Sequence, residues 1–375
     1  MSSSLHPPYH LAVIADPQIT DEYSYDRKGL LLEITKFYSD MYMRRNFRHL
    51  SRRKKPDAVI FLGDLMDGGR EIKKQEDYAK ELHRFRHLFR PVSSPSPRYY
   101  FMAGNHDIGF GDSIVPLAVQ RYRASFGELN YEIQLANHSI VVLDTLSLSS
   151  QKANIRREAA ALLERVGRES SIPPQPRILF THVPLYRPSG SYCGPERSHI
   201  GSIENGSGYQ YQNLIDQTLS QRILATLQPS LVLSGDDHDY CEVQHSWKDH
   251  GAKEITVSSF SMTMGVKIPG YVLLSLHDPT LFSSSVGHAF CPLPNQIEIF
   301  LTYALALLIN LVVLAVFRRK TEKYIPLHHN ELDDGAKNKW QFVRKRIWKR
   351  IGNDVVQIGW VALSVYVGCL VISFL

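Results

Sequence analysis

Cysteine is scarce in this chain, with four among 375 residues and no Cys-x-x-Cys spacing. That excludes a disulfide-stapled scaffold and a thiolate zinc centre. Cys193, Cys241 and Cys291 lie in the large N-terminal part and Cys369 in an apolar run, so at most one bridge closes within that part. Internal repeats, heptad runs and a Gly-rich phosphate loop are also missing, which sets aside solenoids, coiled coils and P-loop chemistry. Met1 to His10 contains no apolar signal segment. Most of the chain lacks excess positive charge too. The net charge is +6, but residues 318–350 hold eleven Lys/Arg against four Asp/Glu, a surplus of seven that leaves the remainder near −1. No nucleic-acid partner is expected.

At 43% hydrophobic residues the chain is rich enough for a folded core. Two apolar runs, 297–317 and 355–375, have 21 residues each. As helices rising about 1.5 Å per residue, each matches a hydrocarbon core of roughly 30 Å. Their few polar residues, Thr302, Asn310, Gln357 and Ser364, are too scattered to give a soluble polar face. Two transmembrane helices are therefore expected, joined by the basic loop 318–354. The positive-inside rule puts that loop in the cytosol and the domain over 1–290 on the opposite, lumenal side. The glycosylation triplets Asn137-His138-Ser139 and Asn205-Gly206-Ser207 agree with that side. A late span does not readily translocate so large a preceding domain, so this topology predicts a signal or anchor ahead of the chain.

Within the large domain, short apolar segments read as strands over 10–15, 59–62, 99–103, 131–134, 140–143, 178–181, 231–234, 255–260 and 271–276. Helical spacing occupies 28–50, 71–90, 152–166 and 213–227, and the Gly-, Pro- and Ser-rich stretch 184–208 reads as a long loop able to cover a site. Val59-Ile60-Phe61-Leu62 is the most telling strand, because Gly63 lets the chain turn and presents Asp64 at the strand's C-terminal end. Four other strands end alike, in Asp16-Pro17-Gln18, in Gly104-Asn105-His106-Asp107, in His182, and in Gly235-Asp236-Asp237-His238. Strands alternating with helices predict an α/β fold with a mainly parallel sheet, the last two strands completing a second sheet. Its carboxyl edge would gather acids and imidazoles that repel or desolvate one another unless cations lie between them. Two divalent ions about 3.5–4 Å apart, sharing one carboxylate, satisfy such a set and suit displacement at phosphorus.

These blocks resemble those of the calcineurin-like metallophosphoesterase superfamily: Asp-x-His, Gly-Asp-x-x-Asp, Gly-Asn-His-Asp/Glu, a lone His and Gly-His-x-His. The resemblance runs over roughly residues 10–280 and implies a two-sheet sandwich flanked by helices. It also implies that Asp64 bridges two metals, with Asp16 and His238 on one and Asn105, His182 and Asp236 on the other. His106, held by Asp67, is the implied acid beside the leaving oxygen. Gln18 and Asp236 stand where the pattern has histidines. Oxygen in place of imidazole makes the site harder and favours Mn²⁺ or Mg²⁺ over Zn²⁺. Arg70 is a candidate phosphate contact.

A closer resemblance is to the branch that remodels glycosylphosphatidylinositol (GPI) anchors in the endoplasmic reticulum. Its fungal members carry Ala-Asp-Pro-Gln, here Ala15 to Gln18, and Ser-Gly-Asp-Asp-His-Asp-Tyr-Cys, here Ser234 to Cys241. It implies removal of an ethanolamine-phosphate branch from a mannose of the anchor glycan by a multi-pass membrane protein with a lumenal catalytic domain. A phosphatase acting on protein or nucleotide monoesters is the alternative within the fold. An inactive membrane scaffold in GPI-protein trafficking is the alternative outside enzymes, and it predicts weak metal binding.

Overall fold

The computed structural model describes residues 7–24, 27–169, 175–199, 201–282, 284–322, 355, 356 and 359. The chain divides into two units, Met1–Asn295 and Gln296–Leu375. In the first, β1 (Tyr9–Ile14), α1 (Leu30–Arg53), β2 (Ala58–Leu62), α2 (Gln75–Leu88) and β3 (Arg98–Met102) lead to α3 (Asn105–Ile108), a single turn, and then α4 (Pro116–Phe126). There follow β4 (Tyr131–Leu135), β5 (His138–Val142), α5 (Thr145–Leu148), α6 (Ala153–Arg168) and β6 (Arg177–Phe180). A small hairpin, β7 (Ser207–Gly208) and β8 (Tyr211–Gln212), precedes α7 (Gln217–Leu227) and β9 (Leu231–Ser234). The unit closes with β10 (Cys241–Trp247), β11 (His250–Thr256), β12 (Gly270–Leu276) and β13 (Val286–Pro292).

Two sheets result, of five strands in the order β13-β12-β1-β2-β3 and of six in the order β10-β11-β9-β6-β5-β4. The two-sheet sandwich is as the resemblance implies, but the five site-bearing strands, expected in one mainly parallel sheet, divide between the two. The site-bearing strands β1, β2 and β3 are parallel neighbours in one sheet, and β6 and β9 are parallel neighbours in the other. Antiparallel pairings flank each parallel core, β12 on β1 and β10 on β11. The inner faces interdigitate through Leu11, Val13, Ile60, Leu62, Phe180 and Leu233. The alternate residues Ile14, Phe61, Leu179 and Val232 face outward under helices, alongside Met43, Phe47, Phe85 and Leu163. With both faces covered, these strands read as unbroken apolar runs.

Several boundaries moved for local reasons. α7 begins after Asp216, whose carboxylate accepts from the N–H groups of Thr218 and Leu219, rather than at 213. The strand expected over 255–260 ends at Thr256, freeing residues 257–260 to turn toward the loop after β1, where Phe260 N donates to Ala15 O at 2.9 Å. Helix α4, with Pro116 at its start, and strands β10 and β13 were not foreseen. The one internal bridge among the described cysteines joins Cys193 to Cys241, pinning the long loop onto β10, while Cys291 is free. Asn137 and Asn205 are both exposed.

Beneath that bridge lies a buried ionic knot. Glu254 accepts from Ser234 Oγ at 2.7 Å and Leu185 N at 3.1 Å, pairs with Arg187 at 3.0 Å and bonds His245 Nε2 at 2.5 Å. Burial pushes the carboxyl up, but Arg187 and His245 outweigh it and hold the pKa at about 2. A depressed carboxylate contributes stability above its unfolded value of about 4.3, which is lost as pH falls toward the folded value. Glu254→Ala, which strands Arg187 in the interior, is expected to destabilise the domain by about 3–5 kcal/mol at pH 7. Urea unfolding checks it: the gap between wild type and variant should shrink from pH 5 to pH 3, and a gap constant with pH would refute the ionic account.

In the second unit, α8 (Gln296–Glu322) contains an apolar stretch, Gln296–Leu314, of mean hydropathy 2.3 and 0% burial. By length and composition it is able to cross a membrane. All but residues 355, 356 and 359 of the expected second span over 355–375, and all of the loop over 318–354 beyond Glu322, lie outside the described residues.

Candidate metal centre

The strand ends of both sheets meet at one rim, and the turns there are backbone-strained. Asp16, Gln18, Asp64, Asp236 and His238 all adopt left-handed φ, from 39° to 68°. For residues other than glycine this costs on the order of 1–3 kcal/mol each, and it persists where surrounding structure over-determines it, as at functional sites. Here the restraint is visible. Gln18 N donates to Asp64 O at 2.8 Å, Asp236 N to Asp16 Oδ2 at 3.0 Å, and Ser259 Oγ to Asp16 O at 2.7 Å.

Two ligand clusters form, Asp16 with Asp64 and His238, and Asp64 with His182 and Asp236, the ligand atoms within each lying within 4.8 Å of one another. Asp64 belongs to both, as expected of a bridging carboxylate. His182 Nδ1 donates to Leu62 O at 2.6 Å, which aims Nε2 at Asn105 Oδ1 (3.1 Å), Asp64 (3.4 Å) and Asp236 (3.5 Å). A backbone carbonyl fixing the far nitrogen is how a ligating histidine is oriented. Asn105 Nδ2 donates to Gln210 O at 3.0 Å, so its Oδ1 is the atom turned to the cluster.

Gln18 supplies the test of whether this set fits metal. Its Nε2 donates to Asp67 Oδ1 at 2.8 Å, which leaves Oε1 buried with no hydrogen-bond partner. An orphaned buried carbonyl is costly unless something electropositive meets it. The electrostatics agree. Burial raises Asp16 well above the carboxylate range, with Asp64 and Asp236 adding to the rise. Burial also raises Asp64, but His182 and His106 overcome it and hold the group far below. His182 itself is pushed well up, burial being outweighed by Asp64 and Asp236. Burial and mutual repulsion thus both work against charge on Asp16 at this rim, a field that cations relieve.

His106 stands beside the clusters. Its backbone N–H donates to Asp64 Oδ1 at 2.9 Å, and its Nδ1 lies 2.7 Å from Asp67 O and 3.1 Å from Asp67 Oδ1. Burial lowers its pKa, but Asp64 and Asp67 outweigh burial and push it up to about 9. The ring is therefore an imidazolium held through Nδ1, with Nε2–H left to donate. Arg70 is differently engaged than a free phosphate contact would be. Its Nε pairs with Glu71 at 2.6 Å and its Nη1 donates to Asn105 O at 2.7 Å, so it braces the loop that carries Asn105.

Some supporting residues carried no clear mark in the sequence. Asp107 accepts from Gly104 N (2.9 Å), Leu65 N (3.0 Å) and Met66 N (3.2 Å), tying two ligand loops together, and burial lifts its pKa to about 7. Asp239 accepts from Ser198 N, His199 N and His199 Nδ1, and Asp237 pairs with Arg197 at 2.6 Å, so the long loop is anchored on the turn after β9. Three further histidines are engaged elsewhere: His199 bonds Asp239, His245 of β10 lies in the ionic knot, and His250 of β11 stacks on Trp247. Gly104 permits the closest approach: a Cβ there would lie 2.0 Å from Asp64 Oδ1 and 2.2 Å from its backbone nitrogen. Gly104→Ala is expected to abolish binding of the second divalent ion, read by metal content per chain. Retention of two ions would show that the loops can part.

The calcineurin-like phosphoesterase family profile matches residues 9–240, more than half of the chain. The chain belongs to the calcineurin-like phosphoesterase family. Among curated relatives, cell division control protein 1 of Saccharomyces cerevisiae is 40% identical over 279 residues, covering 72% of this chain and 56% of that protein. The chain thus spans little more than half of that relative. Metallophosphoesterase 1 of Rattus norvegicus is 27% identical over 310 residues, covering 78% and 75%. Among solved structures, a purple acid phosphatase from yellow lupin (Lupinus luteus) seeds aligns with a TM-score of 0.49 and 12% identity, covering 75% of this chain and 53% of that one. In this calcineurin-like phosphoesterase Asp16, Gln18, Asp64, Asn105, His182, Asp236 and His238 lie around one rim, with His106 and Asp67 beside it.

Proposed function

We propose that this chain is a metal-dependent phosphodiesterase that removes an ethanolamine-phosphate branch from a mannose of a GPI-anchor glycan. The observation that carries the hydrolase reading is the pair of ligand clusters sharing Asp64. Asp16, Gln18, Asp64 and His238 would hold one ion, and Asp64, Asn105, His182 and Asp236 the other. Oxygen outnumbers nitrogen in this donor set, which favours Mn²⁺ or Mg²⁺. Bound there, such ions polarise phosphate oxygens and lower the pKa of water. The chain's own residues do the rest. Asp67 fixes the His106 ring through Nδ1, and His106 Nε2–H passes its proton to the departing mannose oxygen. Arg70 holds the Asn105 loop in place. The substrate assignment is supported by the runs Ala15 to Gln18 and Ser234 to Cys241, and by α8, which would keep the domain beside a lipid-linked diester at high effective concentration. In this reading the domain over 1–290 is lumenal in the endoplasmic reticulum, α8 is its anchor, and the apolar run over 355–375 is a second span.

Release of ethanolamine phosphate from an anchor glycan by the Mn²⁺-loaded protein tests this. Release is expected, and absent from Asp64→Asn. A folded protein with two bound ions that hydrolyses only monoesters would replace the diester reading by the phosphatase one. A folded protein that binds no metal would replace it by the scaffold.

A further inference from the structure

The β7–β8 hairpin is tied to the metal rim by one residue. Gln210, 7% exposed and at φ 62°, accepts from Asn105 Nδ2 through its carbonyl. Its side chain accepts from Phe110 N at 2.7 Å and donates to Ser113 O at 2.8 Å. The hairpin base is closed by Asn213, which donates from N to Gly206 O at 2.8 Å and from Nδ2 to Glu204 O at 3.2 Å. A tip fixed this firmly to a candidate ligand has a defined place beside the cluster.

On either side of Gln210 stand Tyr209 and Tyr211, 83% and 45% exposed. The fold gains little from Tyr209 there, since a tyrosine left in water buries little of its apolar area. Tyr211 lies across Gly208, where an added Cβ would meet its Cε1 at 2.2 Å, so a bare backbone at 208 lets the ring lie against the hairpin. The result is a pair of tyrosines on either side of the hairpin residue that holds the Asn105 side chain.

The ligand that suits these rings follows from their chemistry. A tyrosine offers an apolar face and a hydroxyl at its edge, which matches a pyranose ring with its C–H face and hydroxyl rim. Residues 201–213 contain a single charge, Glu204, and no Lys or Arg, so the hairpin is no second phosphate site. An acyl chain would leave the tyrosine hydroxyls without partners. We propose that Tyr209 and Tyr211 form a saccharide platform that holds the mannose whose phosphodiester enters the metal centre. This rests on the diester-hydrolase reading above and adds to it the residues that select a glycan.

The test compares two diesters that release the same ethanolamine phosphate by the same P–O cleavage, water supplying the hydroxyl at phosphorus and the leaving oxygen taking the proton. One is 2-aminoethyl methyl phosphate, the other its mannosyl counterpart. Tyr209→Ala with Tyr211→Ala is expected to raise KM for the mannosyl diester about tenfold while leaving the methyl diester within about twofold. Tyr209→Phe with Tyr211→Phe should keep most of the preference, because the ring face remains. Saturation-transfer NMR with an unphosphorylated mannose oligosaccharide gives a readout independent of turnover, with transfer expected in wild type and lost in the double Ala variant. Equal loss on both diesters, or no loss on either, overturns the platform, as does sugar transfer unchanged by the substitutions. Wild type that cleaves neither diester, yet shows sugar transfer lost in the variant, would keep sugar binding at the hairpin and overturn the ethanolamine-phosphate assignment instead.

Discussion

Asp64→Asn is expected to bind at most one divalent ion per chain and to lose on the order of 10³ or more of its diesterase rate. Asp64 is 1% exposed, accepts from His106 N at 2.9 Å and is common to both ligand clusters. Asparagine keeps the shape but removes the charge that both ions would share and turns an amide N–H₂ or a neutral oxygen toward them. The carboxylate also raises the His106 pKa, so the substitution leaves less of the ring protonated. Metal content per chain and ethanolamine-phosphate release are the two measurements, with circular dichroism confirming the fold. Two retained ions with activity within tenfold of wild type would end the bridging assignment.

His106→Asn should separate its role from metal binding. The ring makes no ligand contact; its Nδ1 is spent on Asp67 and its backbone N–H on Asp64. Metal content should therefore stay at the wild-type value. Hydrolysis of an alkyl diester should fall by about 10²–10⁴, the range for loss of a positioned general acid. An otherwise identical diester with a 4-nitrophenolate leaving group needs no proton at the departing oxygen, so its loss should be only about tenfold. A fall of the same size with both leaving groups would mean that His106 stabilises charge at phosphorus and donates no proton.

Much of the centre was legible in the chain. Each ligand follows an apolar strand and a turn residue, a local pattern that the structure keeps almost residue for residue, from Leu62 to Asp64 and from Ser234 to His238. The roles that could not be read belong to residues acting through backbone atoms. Arg70 looked free for phosphate because its partner, the carbonyl of Asn105, is 35 residues away and common to every sequence. Gln210 carried no mark at all, since an ordinary glutamine in a loop gains its role only from the 105-residue separation that its bond to Asn105 spans. Asp107 sat inside a recognised block, yet its three backbone partners on two loops appear only once those loops meet.

The sequence by itself determined the chemistry: which carboxylates, amides and imidazoles end the strands, how oxygen-rich the set is, and that one C-terminal helix is apolar enough for a membrane. Those are properties of residue type and local spacing, and a short window fixes them. Tertiary structure alone decided that the strands divide between two mixed sheets, that Cys193 pairs with Cys241, and that the long loop docks on Asp237 and Asp239. A buried strand reads the same whichever sheet it joins, and an acid reads the same whether it holds a metal or a backbone N–H. Only closure of the chain over long separations, which decides the partner that each buried polar group meets, separates those cases.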